Sequence, residues 1–241
     1  GRARARDANR ETGSLQGQQG TIATAGALTL TADQVDHRGA TLSASQLDIV
    51  AAGLDNRGGT VVATGTGANT LTVLGSLDNG DGGTLASNGD LQITASTLGN
   101  AGGTVQQAGT GTLAIDAAVL NGQGGTLVSN GALELRGGTT DLRGGTTSAQ
   151  RIRIDTGNLT TAGGNLVATG SGPLALNVRN QLDNTGGTVA SNGALALHAS
   201  NVINNQGTLQ AAGTGSNQLQ VGQTLENRGG RILASGATVL T

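Results

Sequence analysis

The sequence predicts an all-β fold, a parallel β-helix (β-solenoid) of about eleven rungs of 19–23 residues. Three observations predict it. A unit of about twenty residues recurs along the chain, apolar and polar residues alternate with the period of a strand, and the large apolar side chains are only Leu, Val and Ile. Phe, Tyr, Trp, Met and Cys are absent. A globular core uses aromatic volume to fill the irregular space between layers, whereas stacked, near-identical rungs need only aliphatic side chains of matched size. One unit alone buries too little apolar surface to offset its ordering entropy, so units must stack on one another. The 44 glycines lack the three-residue period of collagen, and the regular apolar spacing argues against elastic disorder.

The repeat is plainest over residues 54–97, where LDNRGGTVVATGTGANTLTVLGS is followed by LDNGDGGTLASNGDLQITAST. Before the repeats, residues 1–14 read as a lead-in, either a strand from a preceding rung or a linker. A nucleic-acid arm is disfavoured there, because Asp7 and Glu11 dilute Arg2, Arg4, Arg6 and Arg10 and no aromatic is present to stack a base. Residues 15–241 are expected to form one shaft, with rungs beginning at Leu15, Val35, Leu54, Leu77, Leu98, Val119, Thr140, Leu159, Leu182, Val202 and Leu225. So short a period leaves leucine-rich repeats and parallel β-helices. Rungs rich in Thr, Val and Gly without helical periodicity select the latter.

Within a rung, one strand should follow the glycine pair, as in Thr60-Val61-Val62-Ala63, and another should follow the next turn, as in Leu71-Thr72-Val73. Alternation puts Leu71 and Val73 inside. Equivalent pairs begin at Leu28, Leu47, Leu91, Leu113, Leu133, Ile152, Leu174, Leu195 and Leu219, and they should build two core columns at the strand spacing of about 4.8 Å. The connecting turns alternate between Gly-Thr-Gly or Gly-Ser-Gly (Gly65, Gly109, Gly170, Gly213) and Ser-Asn-Gly (Ser87, Ser129, Ser191). The rung from Thr140 breaks the alternation with Ser148-Ala149-Gln150.

The third position of the rungs is occupied by Asn56, Asn79, Asn100, Asn121, Asn184, Asn204 and Asn227, with Gly17, His37, Leu142 and Thr161 elsewhere in the column. Turned inward at a corner, such amides can hydrogen-bond up and down the stack as a structural ladder. His37 then reads as a core histidine. His198, in a Leu-x-Leu-x context, should face solvent.

Candidate chemistry is sparse. Neither histidine has a matched Ser or Cys partner, and the acidic residues are scattered mostly at turns, so no catalytic residue is assigned and the chain is read as no enzyme, without cofactor. The segment Asp78-Asn79-Gly80-Asp81-Gly82-Gly83 approaches a calcium loop once but lacks its closing Glu, so no metal site is assigned. Thirteen Arg against 15 acidic residues leave a net charge of -2, which implies no polyanion partner. No apolar run reaches the length of a membrane span, and the first residues lack the apolar segment of a signal peptide, as in the middle of a longer chain. Arg143, Arg151 and Arg153, beside the irregular rung, are the candidate ligand-binding residues.

The rung grammar, seen most clearly in LDNTGGTVASNGAL from Leu182 to Leu195, resembles the filamentous haemagglutinin repeat of bacterial two-partner-secreted exoproteins over residues 15–241. The resemblance implies a right-handed parallel β-helical shaft, exported by an outer-membrane β-barrel transporter from a Gram-negative bacterium. It would be secreted or displayed on the cell surface as an adhesin or as the stalk of a contact-dependent growth-inhibition effector. Its partners would be a receptor or glycan on a host or neighbouring cell, with no nucleic acid and no membrane embedding. Two readings follow. One is a structural rod that displays adhesive or effector regions; the other is a receptor- or carbohydrate-binding module using residues 140–155. The Leu142 in place of Asn and the poorly matched first rung depart from the pattern.

Overall fold

A computed structural model describes the backbone of residues 2–5 and 8–241 and the side chains of residues 13–241. Short strands of four residues alternate with long strands of about ten, and every pairing between them is parallel. The chain therefore coils as a parallel β-solenoid of about eleven turns, with no helix among the described residues. The lead-in holds strands of its own. Arg2–Ala5 pairs with Thr21–Thr24 and Ala8–Gln16 with Ala27–Asp36.

Each turn begins with an apolar residue on the last part of a long strand. The pairing register runs this column through Leu15, Val35, Leu54, Leu77, Leu98, Leu120, Thr140, Leu159, Leu182, Val202 and Leu225. Sequence spacing puts Val119 in this column, and the structure corrects it to Leu120: Val119 pairs with Thr97 and Thr139 and is 42% exposed. Two adjacent aliphatic residues made the choice ambiguous. The glycine pair resolves it, since Gly124-Gly125 follows Leu120 at the distance at which Gly102-Gly103 follows Leu98.

The long-strand columns carry a second correction. Ile49 and Ile93 both pair with Leu71, and Leu197 pairs with Leu219, so the pairs at Leu71 and Leu219 sit one inward step later than expected. Asn69 and Asn217 take the vacated places and are buried. Inward-facing is preserved because the slip is two residues, one full period of a strand. Asn69 Oδ1 accepts from the Leu47 amide at 2.9 Å, and its Nδ2 donates to Ser87 Oγ at 2.9 Å and to the Gly67 carbonyl at 2.9 Å. Asn217 Oδ1 accepts from the Leu195 amide in the same way. An inward amide is tolerated where it replaces the ladder bonds that the preceding Gly-Thr-Gly turn interrupts.

The interior is one continuous cluster of Leu, Ile, Val and Ala from Leu15 to Leu219. Around the irregular rung it contains hydroxyls as well: Thr140, Thr147 and Thr156 are buried, and Thr140 Oγ1 lies 3.1 Å from Thr156 Oγ1. There the turn between short and long strand is lost, and the two fuse into the single strands Thr126–Asp141 and Thr146–Thr160. At the corners glycine allows close stacking. An added Cβ at Gly103 would stand 1.9 Å from the carbonyl oxygen of Asn79 one turn away, whereas Gly102 needs glycine for its positive φ of 65° alone.

Candidate functional site

The corner after each long strand is built from Leu-Asp-Asn-like triplets, which place one residue outward and the next inward. Inward, Asn56 Nδ2 donates to Asn79 Oδ1 at 2.7 Å, and Asn79 Nδ2 donates to Asn100 Oδ1 at 2.8 Å. The row begins above at His37, whose Nδ1 lies 2.7 Å from Asn56 Oδ1 and whose pKa is lowered by burial. A second row runs from Thr161 Oγ1 to Asn184 Oδ1 at 2.8 Å, then from Asn184 to Asn204 and from Asn204 to Asn227, each at 2.7 Å. Asn121 lies outside both rows. It is exposed and its amide oxygen faces the backbone of Gln123, while Gly122 and Leu142 fill the two inward places between the rows. The Asn56, Asn79, Asn184 and Asn204 amides also donate to backbone carbonyls of their own and the next turn, so every such group is held by covalently unrelated neighbours.

Outward at the same corner, Asp36, Asp55 and Asp78 stack in register, interleaved with Arg38 and Arg57. Arg38 Nη2 lies 2.6 Å from Asp36 Oδ2 and its Nε 3.6 Å from Asp55 Oδ2; Arg57 bridges Asp55 at 2.6 Å and Asp78 at 3.5 Å. The hydrogen bond from Arg38 holds the Asp36 carboxyl down at about 2, and Arg57 lowers that of Asp55 in the same sense. Each Asp also accepts from the amide two residues on, so these carboxylates define the turn. Asp78 belongs to this device. Among the described residues no group of three or more His, Cys, Asp or Glu could hold a metal ion.

The three candidate arginines do not converge. Arg143 sits in the corner turn, clamped to Asp141 at 2.6 Å, and that carboxylate raises its pKa. The four-residue stretch 146–149 separates it from Arg151 and Arg153, which alternate outward on the next part of the strand. Arg153 faces Glu134 on one neighbouring strand and Ala175 on the other. Its potential acidic partners are engaged elsewhere: Arg136 pairs with Glu134 at 3.3 Å and Arg179 with Asp155 at 2.6 Å. Among the described residues Arg151 and Arg153 make no ion pair.

Beyond Arg153 the outward column continues as Ala175, Ala196 and Gln218, beside a parallel column of Asn177, His198 and Gln220. Two alanines between longer side chains leave an open depression of about 270 Å³, with Arg153 at one end and Gln218 at the other. Sequence reading marked Arg153 and set His198 in solvent but did not join them. The signal was present in the alternation, since residues 153, 175, 196 and 218 fall in one outward column once the turns are aligned. Its polar rim can accept hydrogen bonds, donate them and hold one anionic group. No helix among the described residues is long and apolar enough to cross a membrane.

A protein-family model described as Haemagglutinin repeat matches residues 1–66, 43–79, 62–114, 108–171 and 169–241. No curated protein and no solved structure matches the chain.

Proposed function

Since the chain belongs to the haemagglutinin-repeat family, we propose that it is a non-catalytic shaft segment of a secreted bacterial exoprotein, holding adhesive or effector regions away from the cell that displays it. The observation that carries this reading is the continuous parallel pairing of about eleven turns around one aliphatic core. Such an array gains length with each turn, at about 4.8 Å per strand, without changing its cross-section. Export through an outer-membrane β-barrel transporter suits a chain with no cysteine, because nothing cross-links it and each turn can stack on its predecessor as it emerges. Deleting residues 182–224, two whole turns, should shorten the particle by about 10 Å in small-angle scattering and leave the β-rich dichroism spectrum unchanged. Displayed on a Gram-negative surface, the shorter version should make fewer productive cell contacts. Contact efficiency independent of length would remove the reading.

A second reading is favoured by the depression at Arg153, namely a module that itself recognises a receptor or glycan on a neighbouring cell. Arg153 supplies an unpaired cation, and Asn177, His198 and Gln218 supply hydrogen-bonding edges for hydroxyls. Replacing Arg151 and Arg153 by Ala should lower binding to cells or immobilised glycans severalfold without altering the melting temperature. Unchanged binding would leave the shaft reading alone.

A further inference from the structure

The two kinds of strand differ in what they show to solvent. Each short strand turns two residues outward, and over the ten strands from Thr21–Thr24 to Thr208–Ala211 none of them is charged or aromatic. The first outward position is Thr in nine of the ten, Asn165 being the exception, and the second is Ala, Ser, Val or Gln. The long-strand face, by contrast, carries Asp48, Asp116, Glu134, Arg136, Arg153 and Asp155. The faces differ in regularity too. Short strands pair residue for residue with no register shift, while long strands shift at bulges near Ala95, Val178 and Ala199. Among the described residues the hydroxyls of Thr41, Thr60, Thr84, Thr104, Thr126 and Thr146 donate to no protein acceptor, so they are left to water.

The Thr column of the short-strand face thus sets hydroxyls and methyls at about 4.8 Å along the rod, about 7 Å from a second outward column of Ala, Ser, Val and Gln. Such a repeat gains from an occupant only where that occupant repeats as well, because individually weak contacts must add in step. We propose that this face binds ice. Ice presents oxygen rows with a repeat near the strand spacing, and its water can accept from and donate to the free hydroxyls while the methyls fill the hollows between rows. Over these ten strands no outward residue carries a charge, which would orient water away from the lattice; Arg231 follows Thr208 in the same column at one end, and Arg2 pairs with Thr21 at the other. A second copy of the chain fits less well. The face measures roughly 45 Å by 10 Å, about 450 Å² per partner, short of the roughly 800 Å² typical of a stable pair. Sugar recognition by stacking lacks an aromatic platform here.

The test uses the whole chain, fluorescently labelled and held with a slowly growing ice hemisphere, together with crystal-growth microscopy in a nanolitre osmometer. The expected result is incorporation of the chain into ice, faceted crystals and a measurable gap between freezing and melting. Thr104→Lys, at the middle of the face, should abolish all three, whereas Thr94→Lys on the long-strand face should keep them, with dichroism showing both variants folded. Exclusion of the folded, unsubstituted chain from ice overturns the proposal. Equal loss in both lysine variants, or a dimer in sedimentation that Thr104→Lys dissociates, also overturns it.

Discussion

Asn79 accepts from one neighbouring amide, donates to another, and also donates to the carbonyls of Gly83 and Thr104, all without contact with water. Removing it strands partners on three turns. Asn79→Ala should therefore cost about 3 kcal/mol in urea denaturation, while Asn121→Ala, in the same sequence motif but exposed, should change stability by no more than about 0.5 kcal/mol. His37 heads the row and must stay neutral because burial lowers its pKa from 6.5. The unfolded chain then binds more protons than the folded one as pH falls below 6.5, so stability is complete above that pH and declines below it. His37→Asn should flatten that decline, read as midpoint against pH in urea titrations. The ladder was legible as a recurrent third-position Asn. What escaped was Asn121, because an amide one residue out of phase looks the same in the alphabet and opposite in space.

Within an element, the glycine pair found at most corners does two separate jobs that substitution can tell apart, with Gln19, Ala40 and Gln206 replacing one glycine at three others. The first glycine adopts positive φ with open space around it, and the second lets the backbone of the preceding turn approach. Gly102→Ala should cost about 1 kcal/mol, the strain of a left-handed alanine. Gly103→Ala should cost about 3 kcal/mol or more, since two turns must separate. Thermal melts of the pair give the order directly. The strands themselves were legible from alternation alone, whereas which inward residue meets which was not. Asn69 and Asn217 occupy the inward place that Leu113 and Leu174 hold after turns of the same length, and a displacement of the leucine pair by two residues leaves the in-and-out pattern unaltered. The scattered arginines show the same limit. Arg143, Arg151 and Arg153 are near in sequence but divided by a corner, while Arg153 and His198 are distant in sequence and share a depression.

Across the whole molecule, the absence of aromatic residues and the repeat period were enough to specify a stacked solenoid, since each turn can be buried only by its neighbours. The distribution of charge between faces could not be read from composition, because a net charge of -2 conceals ten successive short strands without an outward charge and a long-strand face that carries many. Among the described residues the backbone hydrogen bonds that join turns run along the axis of the rod, from an amide to a carbonyl of the next or the preceding coil. Under tension applied at the two ends, such bonds are loaded a coil at a time, and the outermost coil, with a neighbour on one side only, peels first. Each coil released would surrender about twenty residues, roughly 65 Å of slack at about 3.4 Å per residue. A tether of this build pays out in steps and slackens the load on whatever grips its tip.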